Sequence, residues 1–128
     1  MRLSVQQQIF TQHIALFILK ANSMGINLTF GEAHRTESQQ LLYYFGAVVV
    51  ETPTGLQLAP DKKRTKTKKG NHPRRLAVDF NYFIDGKLTY KHPKITELGA
   101  YWEGLDTANR WGGNFTNFYD SPHLERNV

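Results

Sequence analysis

The chain has 128 residues, of which 40% are hydrophobic and 12% aromatic, and it carries a net charge of +5. That length supports one core of ordinary size, and the composition lies far from that of disordered chains, so a single folded domain spanning residues 1–128 is expected. Cysteine is absent, which excludes disulfides, thiolate nucleophiles and cysteine-ligated metals and leaves imidazole and carboxylate as the ligands for any metal site.

Near the N-terminus, Ser4 and Gln7 have the spacing of a capping box. The apolar residues Val5, Ile9, Phe10, Ile14, Phe17 and Ile18 then recur at helical intervals until Gly25, which predicts a first amphipathic helix. The apolar run at 14–19 is short, follows glutamines rather than a basic cluster and has no small-residue cleavage site. It reads as neither signal peptide nor membrane span, so synthesis in the cytoplasm is expected. Residues 26–30 alternate as a strand does, and Thr36 with Gln39 repeats the capping signature and opens a second helix that Gly46 ends.

From about residue 51 to 71 the composition turns to Pro, Thr, Gly and Lys without sustained periodicity, which predicts a long mobile loop. The positive charge is concentrated here and just beyond. Lys62, Lys63, Arg64, Lys66, Lys68, Lys69, Arg74 and Arg75 lie in one stretch with no acid, so the rest of the chain is net acidic. Residues 75–83 are rich in β-formers, Asp85-Gly86 before residues 87–90 is a hairpin signal, and residues 95–105 read as a third helix. A few helices on a small antiparallel sheet make an α+β fold, and there is no internal repeat.

His72 stands at the mouth of the strand that carries Asp79, and near the C-terminus come Asp120, His123 and Glu125. Two imidazoles and a carboxylate suit a hydrolytic zinc site, and a second carboxylate three residues before an imidazole is placed to move a proton. Taken singly, each has a plainer reading: His72 as a solvated histidine in a basic loop, His123 as part of an exposed polar turn. Asp79 is more telling, because an acid within an apolar strand needs a metal, a cation or several hydrogen bonds. His13 and His92 read as structural or exposed, His34 lies beside Arg35, and Glu125 reads equally as an acceptor that orients His123 or as a surface acid. Trp102, Trp111, Phe115 and Tyr119 read mostly as core.

His72 to Asp79 with Ala77 and Val78, then Trp111-Gly112-Gly113, Phe115 and Asp120-x-x-His123-x-Glu125, resemble the zinc D-Ala-D-Ala carboxypeptidase and L-alanyl-D-glutamate endopeptidase family, above all its small phage endolysins. Gly31-Glu32-Ala33-His34-Arg35-Thr36 followed by Gln39 resembles that family's upstream Arg-Thr-x-x-Gln element. The resemblance implies a hedgehog/DD-peptidase fold, zinc held by His72, Asp79 and His123, Asp120 as catalytic acid and base, and Arg35 as a clamp on substrate carbonyl or carboxylate. Many relatives have Ser two positions before the first histidine and Gly three after it; this chain has Gly70 and Arg75.

The expected function is that of a monomeric zinc peptidase that cuts peptidoglycan stem peptides, foremost at the L-Ala-D-Glu bond, as a phage endolysin that reaches the wall after the membrane is permeabilised. A D-Ala-D-Ala carboxypeptidase or dipeptidase using the same site is the nearest rival; a non-catalytic basic module that binds nucleic acid or cell wall is the more distant one. The segment from Lys62 to Lys69 is read as attracting the anionic envelope. Nucleic acid is not expected as a partner, since no recognisable binding motif accompanies the charge.

Overall fold

The computed structural model describes residues 1–128. In chain order it runs α1 (Leu3–Ser23), β1 (Asn27–Phe30), α2 (Glu37–Phe45), β2 (Ala47–Thr52), β3 (Gly55–Pro60), β4 (Ala77–Ile84), β5 (Lys87–Thr89), α3 (Pro93–Leu105), β6 (Asn109–Trp111), a 3-10 turn (Gly112–Asn114) and β7 (His123–Arg126). This is the expected α+β arrangement, and no helix is long and apolar enough to cross a membrane.

Strand β4 organises the sheet. Its first residues, Ala77 to Asp79, pair antiparallel with β7, its middle pairs with β1, and it turns back into β5 through Asp85 and Gly86. Both turn residues have positive φ, 52° and 77°, as a two-residue hairpin connection requires. On its far side β7 pairs with β6. Successive side chains of a strand point to opposite faces, so Val78, Phe80, Tyr82 and Ile84 are buried on one side while Asp79, Asn81 and Phe83 point to the other. The acid within the apolar strand is therefore no interruption of the core; it occupies the opposite face.

Helices α1 and α3 cover the core side. Phe17 stacks on Phe80 at 5.6 Å between ring centroids, and Trp102 meets Phe10 edge-on at 5.7 Å. Each such aromatic contributes about 1.5–3 kcal/mol by leaving water. The buried residues of α1 are Gln6, Phe10, Phe17 and Ala21, a narrower face than the sequence suggested; Val5 is exposed.

Two expectations are corrected, and the plainer of the two readings of His123 is excluded. The capping box does not form: α1 starts at Leu3 with no side-chain cap, Ser4 is already inside the first turn, and the Gln7 amide donates to the Arg74 carbonyl at 2.8 Å. The first part of the expected loop is instead the β2–β3 hairpin, paired from Ala47↔Pro60 to Thr52↔Gly55. Only residues 61–71, the basic part, lack regular structure apart from turns and bends. His123 lies in strand β7, not in a terminal turn. The second helix begins as expected, with Thr36 Oγ1 accepting from the Gln39 amide at 3.1 Å.

Candidate metal centre

The site is assembled by sheet register. Asp79 on β4 is directly opposite His123 on β7, and Glu125, two residues further on the same face, is opposite Arg110 on β6. The intervening row, Val78, Leu124 and Trp111, is core. One alternation thus sends Asp79, His123 and Glu125 to the cleft and Val78, Leu124 and Trp111 inward. His72 enters from the turn just before β4, where Arg75 N donates to His72 O at 3.1 Å. Arg75 holds φ 57° there, a left-handed conformation that glycine adopts at least cost.

His72 Nε2 lies 3.4 Å and His123 Nδ1 3.3 Å from the same oxygen, Asp79 Oδ1, and the ligand atoms of these three residues converge within 4.8 Å. The outer ring nitrogens each meet an acceptor. His72 Nδ1 is 2.9 Å from the carbonyl of Ala33, which can only accept, so Nδ1 carries the proton. His123 Nε2 is 2.7 Å from Glu125 Oε1 and donates to that carboxylate. Both inward nitrogens therefore face Asp79 Oδ1, where a proton shared with the carboxylate holds the metal-free cluster together and a cation can take the proton's place. Two imidazoles and a carboxylate, with both outer nitrogens engaged by acceptors, form a donor set that fits zinc.

The electrostatics agree. Burial disfavours a charged His123, but its bonds to Asp79 and Glu125 outweigh this and raise its pKa to about 9. Burial likewise opposes ionisation of Asp79, yet the hydrogen bonds of His123 and His72 hold it well below the usual carboxylate range. Glu125 is also depressed: its burial is overcome by His123 and by the charge of Arg110, and Asn71 adds a 3.0 Å hydrogen bond. Of its two sequence readings, the orienting acceptor is what the geometry shows.

Asp120 is outside the converging set but lines the same cleft, a hollow of about 1340 Å³. Burial, with Asp79 nearby, raises its pKa against the opposing pull of His123, His72 and Arg35. Its backbone is fixed by close approach to Gly112: Asp120 N donates to Gly112 O at 3.0 Å, and a Cβ on Gly112 would land on the Asp120 carbonyl oxygen. Next in the chain, the Ser121 carbonyl accepts from Tyr82 Oη at 2.7 Å and from Trp111 Nε1 at 2.8 Å.

Arg35 also lines the cleft. Its Nε pairs with Glu32, its Nη1 donates to Gln40 Oε1 at 2.8 Å, and the guanidinium lies 4.9 Å from the Tyr43 ring centroid. Nη2 has no hydrogen bond within the protein. The glutamine that acts here is Gln40, which is buried, and not Gln39, whose contribution to the cap is its backbone amide. His34 is exposed and lies outside the cleft lining. His92 caps α3 by accepting from Lys94 N at 3.0 Å, and His13 packs on Trp102 beside Asn109. Trp102 and Trp111 are core, whereas Phe115 packs against His123 at 5.6 Å and Tyr119 is exposed.

A family model described as D-alanyl-D-alanine carboxypeptidase matches residues 63–126, which hold all three converging residues and Asp120. Among solved structures, the L-Ala D-Glu endopeptidase ChiX of Serratia marcescens is similar in fold, with a TM-score of 0.67 over 93% of this chain and 78% of that one at 14% identity. No curated protein matches the sequence.

Proposed function

Because the chain belongs to the D-alanyl-D-alanine carboxypeptidase family, a family of metallopeptidases, we propose that it hydrolyses the peptide stems of bacterial peptidoglycan with zinc held by His72, Asp79 and His123. The observation that carries this reading is the convergence of His72 Nε2 and His123 Nδ1 on Asp79 Oδ1, with both outer nitrogens already satisfied. Zinc there supplies Lewis acidity, which polarises a carbonyl and acidifies water.

The protein's own groups do the rest. Asp120, its pKa raised by burial, takes a proton from the attacking water and passes it to the departing amine; a carboxyl nearer neutrality serves both halves of that transfer. Glu125 keeps the His123 ring turned so that Nδ1 faces inward, and the Ala33 carbonyl does the same for His72 Nε2. Arg35, braced by Glu32 and Gln40, offers Nη2 to a substrate carbonyl or carboxylate without having to be ordered first.

Within that reading the scissile bond is L-Ala-D-Glu, supported by the fold shared with the Serratia endopeptidase, and the biological role is that of a phage endolysin acting on the wall once the membrane is permeabilised. The basic segment adds electrostatic attraction to the anionic envelope. The family description favours one alternative, release of terminal D-Ala. Mass spectrometry of muropeptides digested with and without a chelator separates the two: free L-Ala ends with chelator-sensitive cleavage support the endopeptidase, and loss of D-Ala alone supports the carboxypeptidase. Intact muropeptides after incubation with metal-loaded protein would refute the peptidase reading.

A further inference from the structure

One wall of the cleft is made by the basic segment, which the metal centre does not use. Lys63, Arg64 and Lys66 line it together with Arg35. Arg35 is paired with Glu32, and Arg64 with Asp61 at 3.4 Å, but neither lysine has a carboxylate partner. Their ammonium groups rest instead on aromatic faces, Lys63 at 5.6 Å from the Tyr44 ring centroid and Lys66 at 5.4 Å from that of Phe118. Phe118 packs on Phe115 at 5.4 Å, and Phe115 packs on His123. A chain of ring contacts therefore links Lys66 to the metal centre.

The segment is also moored. The buried Gln40 side chain donates to the Thr67 carbonyl at 2.7 Å, the Lys69 carbonyl at 3.2 Å and Thr65 Oγ1 at 3.3 Å, while its oxygen accepts from Arg35. One amide thus sets both the guanidinium and the backbone that carries the lysines. The acids that share the cleft do not answer these cations: Asp79 is held by His72 and His123, Glu125 by His123, Arg110 and Asn71, and Glu103 by Trp111 N and Asn114, while Asp120 forms no ion pair with either lysine. Two unpaired ammonium groups on a tethered wall have the chemistry of an anion subsite.

We propose that Lys63 and Lys66 form a carboxylate subsite, so that the preferred substrate is a peptide with a free carboxylate on a residue flanking the scissile bond. This rests on the peptidase reading and deepens it. In an L-Ala-D-Glu peptide linked through the glutamate side chain, the remaining glutamate carboxylate has that character; converting it to the amide keeps the shape and removes the charge.

The test compares such a pair of synthetic peptides, carboxylate and carboxamide, on zinc-loaded protein, with binding measured by calorimetry and turnover measured in parallel. The wild type should bind the carboxylate roughly tenfold more tightly, in line with two modest charge pairs. K63Q/K66Q should erase that preference through KM with kcat unchanged, and should leave the amide peptide unaffected. K68Q/K69Q, which removes equal charge outside the cleft, should retain the preference. Equal binding of the two peptides by the wild type, a preference that survives in K63Q/K66Q, or equal loss in K68Q/K69Q would overturn the subsite. Failure of the wild type to cleave either peptide would instead refute the peptidase reading, while the binding comparison would still decide the subsite.

Discussion

Acidification should strip metal from this site at a rate set by one imidazole. His123 has a pKa of about 9 in the metal-free fold because Asp79 and Glu125 hold its proton more strongly than burial expels it. A metal must displace that proton, so below about pH 9 the apparent affinity should fall about tenfold per pH unit, or roughly a hundredfold from pH 8 to pH 6. The sign for stability is opposite. A pKa raised on folding stabilises the metal-free protein fully below the unfolded value near 6.5, and that contribution, on the order of 3 kcal/mol for this side chain at 11% exposure, is lost as pH rises through about 9. Competition with a chromophoric chelator, corrected for its own protonation, gives the affinity, and thermal melts with and without zinc give the stability. The metal-free Tm should fall between pH 6.5 and 9 while the zinc-induced gain in Tm grows. Zinc affinity that is flat from pH 6 to 8 would refute the assignment of His123 as a proton-competing ligand.

Replacing Asp120 by alanine should cut hydrolysis by about 10²- to 10⁴-fold while zinc content by atomic absorption stays at the wild-type level; loss of zinc along with activity would make Asp120 a ligand instead. Gly112→Ala should cost about 1–3 kcal/mol in chemical denaturation, since its Cβ meets the Asp120 carbonyl, and should lower kcat in whatever protein folds. At Arg75, whose φ is 57°, glycine should be neutral or stabilising within about 1 kcal/mol, whereas valine should destabilise by about 1–2 kcal/mol; equal melting of the two variants would remove the backbone argument. Neutralising the segment from Lys62 to Lys69 should weaken pelleting with cell walls more at 20 mM than at 500 mM salt, concentrations chosen to span roughly 20 to 4 Å of screening length.

What could be read from the sequence is what depends on local rules. Thr36 caps α2, Asp85-Gly86 turns the hairpin, and an acid among β-formers marked Asp79, all within a few residues of chain. The β2–β3 hairpin was hidden because Val48, Val49, Val50, Leu56 and Leu58 are all substantially exposed, so neither face alternates with the other. Strand β7 was hidden for the opposite reason. It is buried on both faces, with His123 and Glu125 toward the cleft and Leu124 and Arg126 inward, which leaves no hydrophobic period to detect. Gln40 was missed by one position because the capping pattern draws attention to Gln39; only the helix's orientation shows which amide turns inward.

The Ser121 carbonyl sits between Asp120 and the strand that begins at His123, and its donors are Tyr82 and Trp111, both part of the apolar interior. Aim and cohesion are therefore not separable in this molecule. A change that softens the interior also tilts the peptide unit next to Asp120, so, if Asp120 moves the proton as proposed, warming should degrade the precision of that transfer before the strands part.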